Sequence, residues 1–138
     1  MIALDTSGLL AWIDAAQRRH AEVKQAMESV EGPFLLSPFV LAELDYLLAT
    51  RVGQEAQEAL LEEVGRGTYR LEDFEAVDVR EALGIMRQFS DLRIGLADAS
   101  IVVLAERHVC DTVLTLDERH FRVLQVQGKP FRLLPSDA

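Results

Sequence analysis

The sequence predicts an α/β fold in which a central, mostly parallel sheet is flanked by helices. Short apolar runs alternate with longer stretches of helical period: Ile2-Ala3-Leu4 ahead of Thr6 to Ala16, and Phe34-Leu35-Leu36 ahead of Phe39 to Thr50. Such alternation is the pattern of parallel strands joined by helical crossovers. The chain has 138 residues and no repeat, low-complexity tract or Pro/Ser-rich linker, so a single domain over 1–138 is expected. Hydrophobic residues make up 49% and charged residues 27%, enough to bury a core and too apolar for a disordered acidic tail.

Ile2-Ala3-Leu4 reads as the first strand and Thr6 to Ala16 as the helix after it. Gly32-Pro33 and Ser37-Pro38 bracket the second strand, because proline and glycine punctuate regular elements. Phe39 to Thr50 reads as a helix that continues from it. Gln54 to Val64 and Asp78 to Phe89 have amphipathic periodicity, with Gly53, Gly65 and Gly67 breaking the helical middle where turns are needed. Leu96 to Arg107 is a more buried helix, Thr112 to Leu116 a strand, and Leu133-Leu134 an edge strand.

Composition narrows the setting. No apolar run approaches the roughly 20 residues that cross a bilayer, and Met1 to Asp5 carries no basic leader, so neither membrane insertion nor secretion is expected. Cys110 is the only cysteine, and no Cys/His cluster has zinc spacing, which fits a reducing cytoplasmic environment. Lys and Arg number 14 against 23 Asp and Glu, a formal net charge of −9. The excess lies mid-chain: Gln54 to Asp91 holds ten acids and four bases, whereas Leu92 to Ala138 is balanced. Generic nucleic-acid affinity draws on many Lys/Arg contacts, so the balance opposes it. Arg18, Arg19, Lys24, Arg93, Arg119 and Arg122 are the candidates for guiding a polyanion, and the acidic face suits a basic partner.

Four acids have neighbours that are wrong for a merely solvated side chain. Asp5 closes the first apolar strand, at the carboxyl edge where open α/β sheets bind ligands, although an N-cap role alone would explain it. Glu43 has Phe39, Val40, Tyr46 and Leu47 as its helical neighbours, so an inward-facing carboxylate is expected, while Asp45 points to another face. Asp98 interrupts the stripe of Ile94, Ile101 and Val102; an acid in a first helical turn is also favoured by the helix dipole. Asp117 follows Val113 to Leu116 and could cap the short turn Glu118-Arg119-His120. Two strand ends and two helices of a parallel sheet can bring all four together. Gathered carboxylates repel one another unless a cation compensates, and an all-oxygen donor set suits Mg²⁺ or Mn²⁺. Such a site points to phosphoryl or phosphodiester chemistry.

In Ile2-Ala3-Leu4-Asp5-Thr6-Ser7, Leu41-Ala42-Glu43-Leu44, Leu96-Ala97-Asp98-Ala99-Ser100-Ile101 and Leu114-Thr115-Leu116-Asp117, the chain resembles the PIN-domain ribonucleases, and among them the VapC-type toxins of bacterial toxin–antitoxin pairs. The resemblance implies a Rossmann-like parallel sheet. It also implies an acidic metal site of Asp5, Glu43, Asp98 and Asp117, with Thr115 beside it. It further implies Mg²⁺- or Mn²⁺-dependent endonucleolytic cleavage of RNA by metal-activated water, homodimerisation, and inhibition by a cognate VapB-type antitoxin whose tail occupies the acidic cleft. One common form of the last motif has another acid two positions beyond the aspartate; Arg119 stands there. His120 is a candidate assisting acid, although capping or packing the short turn is the better expectation, and His20 and His108 are expected to lie at the surface.

Two other readings compete. A haloacid-dehalogenase-like phosphatase would use Asp5 as a covalent nucleophile, but wants a second aspartate where Ser7 stands. A catalytically inert PIN module would bind protein or RNA without cutting it, and retention of all four acids opposes that.

Overall fold

The computed structural model describes residues 1–138. In chain order the elements are β1 (Ile2–Leu4), α1 (Thr6–Ile13), α2 (His20–Glu28), β2 (Phe34–Leu36), α3 (Pro38–Leu47), α4 (Gln54–Gly65), β3 (Arg70–Leu71), α5 (Ala76–Gln88), α6 (Leu96–His108), β4 (Thr112–Leu114), α7 (Glu118–Phe121), β5 (Gln125–Val126), β6 (Lys129–Pro130) and β7 (Arg132–Leu134). A π-helical turn, Leu48–Val52, extends α3. The five-stranded sheet has the order β3-β2-β1-β4-β7 and is parallel throughout; β5 and β6 form a separate antiparallel hairpin. The expected α/β class and parallel sheet are both present.

Centrality explains the composition of β1. It pairs with β2 on one side and β4 on the other, and Ile2, Ala3 and Leu4 are all buried. A strand covered on both faces reads as a continuous apolar run, not as an alternation. The chain winds from β1 outward through β2 to β3, then returns to place β4 on the other side of β1. The order therefore reverses between β1 and β4, and the crevice beyond their carboxyl ends is where open sheets of this kind take ligands.

Two close fits bring neighbouring elements onto that crevice. Gly8 lies so near β4 that a Cβ there would stand 2.5 Å from the Leu114 carbonyl oxygen, so only glycine lets α1 cross this close. Ser37 caps α3, its Oγ accepting from the Phe39 N–H at 3.2 Å. Ser100 Oγ donates to the Ala97 carbonyl, and the Ser37 hydroxyl lies 2.6 Å from it, which ties the start of α3 to α6 in the core.

Several expected boundaries shift. The first helix stops at Ile13 instead of Ala16, and the fourth strand stops at Leu114. The α2 helix, the two-residue β3 and the β5–β6 hairpin had no clear sequence signal. Leu133-Leu134 does lie in an edge strand, paired with β4. His108 is not a free surface residue: it meets the buried carboxylate of Glu72, which also receives Arg70 at 3.0 Å. His20 is likewise engaged, with Nδ1 2.8 Å from the Ala11 carbonyl.

Candidate active site

Asp5, Glu43, Asp98 and Asp117 line one open cleft of about 630 Å³ at the carboxyl edge of β1 and β4. These four come from segments far apart in the chain, and the fold brings all of them to one place. A second, smaller groove of about 200 Å³ between α1 and α4 is mostly apolar and contains none of them.

Asp5 stands at the N-cap position of α1 but makes no side-chain capping bond. Its Oδ2 instead accepts from Ser7 Oγ and from Thr115 Oγ1, each at 2.7 Å. The same two hydroxyls accept in turn from the backbone N–H groups of Leu116, at 3.0 Å, and Asp117, at 2.9 Å. Ser7 and Thr115 thus lock the ends of β1 and β4 together around one carboxylate. Burial pushes the Asp5 carboxyl above the ordinary range; the two hydroxyl donors oppose that shift, and the charge of Asp117 adds to it.

Asp98 occupies the first turn of α6, as expected, and its carboxyl is pushed up to about 6. Burial is the largest cause and the charge of Asp5 the next, with His120 opposing both. Asp117 does two things. One oxygen caps α7, accepting from the His120 N–H at 3.2 Å, and the other lies 2.9 Å from His120 Nδ1. His120 Nδ1 is also 3.0 Å from Asp98 Oδ2. Both neighbours are acceptors when ionised, so this nitrogen carries the hydrogen. The histidine is therefore not the capping or packing residue expected: Asp117 does the capping, and the imidazole bridges the two aspartates. The signal available in the sequence was the i, i+3 spacing of Asp117 and His120.

Glu43 lines the cleft, but it is exposed, which corrects the inward-facing carboxylate expected from its neighbours. Tyr46 on the same face is 67% exposed, so the aromatic residue beside Glu43 marked a surface and not the core. Asp45 is half-buried and accepts from Gln57 Nε2 at 2.8 Å, so it too is more than a solvated acid. Of the six bases proposed to guide a polyanion, none lines the cleft; Arg19 is paired with Glu22, and Arg122 with Glu118 and Asp137. Arg51, which has no distinguishing signal in the sequence, does line it.

The carboxylates fit a hard divalent cation. Asp98 and Asp117 approach within 4.8 Å around the His120 ring, and the buried Asp5 carboxylate stands in the same wall, so the oxygens of the three aspartates are the donors such an ion takes, with His120 as their hydrogen-bond partner. Thr6, also in the wall, has a buried Oγ1 with no hydrogen-bond partner.

The site is thus the switch point of a Rossmann-like sheet, ringed by the acids that follow β1 and β4 and by one acid each from α3 and α6. The chain belongs to the PIN-domain family, whose model matches residues 2–125. It is 45% identical over 133 residues to Ribonuclease VapC26 of Mycobacterium tuberculosis, covering 96% of this chain and 98% of that one. Among solved structures it is similar in fold to Mycobacterium tuberculosis VapC20, a Sarcin-Ricin loop cleaving toxin, with TM-score 0.79 and 23% identity over 85% of this chain and 90% of that chain. It is also similar in fold to a toxin–antitoxin complex from Klebsiella pneumoniae, with TM-score 0.67 and 18% identity over 90% and 92% of the two chains. FitAcB from Neisseria gonorrhoeae matches with TM-score 0.55 and 22% identity over 82% and 85%.

Proposed function

We propose that this chain is an endoribonuclease, the toxin component of a type II toxin–antitoxin system, that cleaves RNA phosphodiester bonds with Mg²⁺ or Mn²⁺. The observation that carries the reading is the convergence of Asp5, Glu43, Asp98 and Asp117 on one cleft. Its support is the 45% identity, over nearly the whole chain, to a ribonuclease. Asp98 and Asp117 would hold the cation, with His120 between them and Asp5 behind. When bound, the ion supplies Lewis-acid polarisation of a phosphoryl oxygen and acidifies a water.

The chain's own residues prepare that chemistry. Ser7 and Thr115 fix the rotamer of Asp5 and, by donating to Oδ2, favour its charged form against the burial that opposes it. Asp117 is oriented by its bond to the α7 N-terminus. Glu43 adds an acid from α3, reachable by solvent and by substrate. The rest of the reading follows the family: one PIN domain over 1–138, a homodimer, a cognate VapB-type antitoxin as partner, and a reducing cytoplasmic setting. No helix is long and apolar enough to cross a membrane.

The test is cleavage of RNA by purified protein freed of any partner. Activity should require Mg²⁺ or Mn²⁺, and Asp98→Asn should lower it at least about a hundredfold with the fold intact by circular dichroism. Undiminished cleavage in EDTA overturns the metal dependence. Metal-independent RNA binding without turnover would support an inert module instead.

A further inference from the structure

Phe39, Glu43, Leu47 and Arg51 all line the acidic cleft, a strict ladder of every fourth residue. In a regular α-helix four residues overshoot one turn by about 40°, so three such steps would swing the last side chain about 120° from the first. The chain avoids this by changing helix type. Leu48–Val52 is a π-turn, closed by the Gly53 N–H donating to the Leu48 carbonyl at 2.7 Å, an i to i+5 bond. A wider turn takes more residues to come round, which reverses the drift and returns Arg51 to the face of Glu43 and Leu47. Thr50 supports the widened turn, its Oγ1 donating to the Tyr46 carbonyl at 2.7 Å, and Gly53 ends it at φ 149°.

Arg51 is the one base among the residues that line the cleft, and it makes no ion pair with any of the acids around it. Arg19, Arg66, Arg70, Arg107 and Arg122 are paired, and the remaining unpaired bases lie outside the cleft. A guanidinium held unpaired beside carboxylates has its full fork of donors free for a planar or tetrahedral oxyanion. The rest of the molecule makes such a group necessary, since a chain of net charge −9 repels an RNA backbone.

Resting on the nuclease reading above, we infer that Arg51 is the phosphate-positioning residue of the cleft. It grips a non-bridging oxygen of the RNA backbone away from the bond that is cut, and so sets where the strand lies over the acids. Its contribution is to substrate binding and not to the chemical step.

The experiment compares wild type, Arg51→Ala, Arg51→Lys and the remote Arg66→Ala in cleavage of a short single-stranded RNA of mixed sequence with Mg²⁺. Binding of the same RNA is measured over a range of KCl concentrations in an Asp98→Asn background. Arg51→Ala should raise KM about tenfold with kcat changed less than about threefold, and should flatten the slope of log affinity against log salt by about 0.7, one phosphate contact to a single strand. Arg51→Lys should recover most of the affinity and the slope, and Arg66→Ala should match wild type. Unchanged KM and slope in Arg51→Ala overturns the inference while leaving the nuclease reading standing, as does a fall in kcat at constant KM. If wild type cuts no RNA with either metal, the nuclease reading fails and this inference with it.

Discussion

At the residue scale Asp98 sits in electrostatic conflict, because burial and the neighbouring Asp5 both oppose its charge. Its carboxyl is raised to about 6, well above the ordinary aspartate range, so in the metal-free protein it contributes stability that is complete below about pH 4 and is lost as the pH rises through 6. Asp98→Asn removes that penalty. The metal-free variant should melt higher than wild type at pH 7 to 8, and the gap should close as pH falls from 6 to 4; an unchanged or lower melting temperature at pH 7 would contradict the assignment. Adding Mg²⁺ should raise the melting temperature of wild type more than that of the variant. Asp98 was legible in the sequence because it interrupts an apolar stripe, and Asp5 and Asp117 because each follows an apolar strand at the carboxyl edge of a parallel sheet. His120 was not, since a histidine in a short polar turn has an ordinary explanation, and only the fold shows its ring between Asp98 and Asp117.

Elements matter here as carriers that hold side chains at a shared edge. The close crossing of α1 on β4 depends on Gly8, whose missing Cβ makes room for the Leu114 backbone. Because backbone cannot swing aside as a side chain can, Gly8→Ala should cost about 1–3 kcal/mol. It should also weaken catalysis, since Ser7 and Thr115 flank that contact and orient Asp5; thermal melts and cleavage rates measured together test both effects. At the other end, α7 is bolted down by Arg122, which donates to both oxygens of Asp137 at 2.8 Å and to Glu118. Those bonds hold the Asp137 carboxyl down at about 2. Its contribution to stability is therefore present above about pH 4 and lost as pH falls through 2. Asp137→Asn should lower the melting temperature by a few degrees at pH 7 and by nothing near pH 2; an equal loss at both would show that packing, not charge, is responsible. The long helices α3 to α6 were visible as apolar periodicity. The π-turn was not, because i to i+5 bonding leaves no pattern in residue type, and the ladder ending at Arg51 makes sense only once that turn is seen.

At the scale of the whole molecule, two electrostatic demands oppose each other. The fold concentrates acids twice, in the cleft and along the α4 and α5 surfaces, and the formal charge of −9 makes both the compact state and the approach of RNA unfavourable. Salt screens self-repulsion within the protein, and salt also competes with any basic group for phosphate. The two effects have opposite consequences. Raising KCl from about 50 to 200 mM should raise the melting temperature of the metal-free protein while weakening its RNA affinity. The affinity loss should be shallow, because few bases face the cleft: a slope of one or two phosphate contacts, against the six to ten of a strongly basic binder. A steep salt dependence would mean that RNA is held by a basic surface outside the cleft, one to which Arg18, Lys24, Arg93 and Arg119 are the available contributors. Melting curves and RNA titrations at matched ionic strengths separate the two outcomes. The shallow slope would place recognition in the shape of the cleft and in its cation, with Arg51 alone reading the strand's charge.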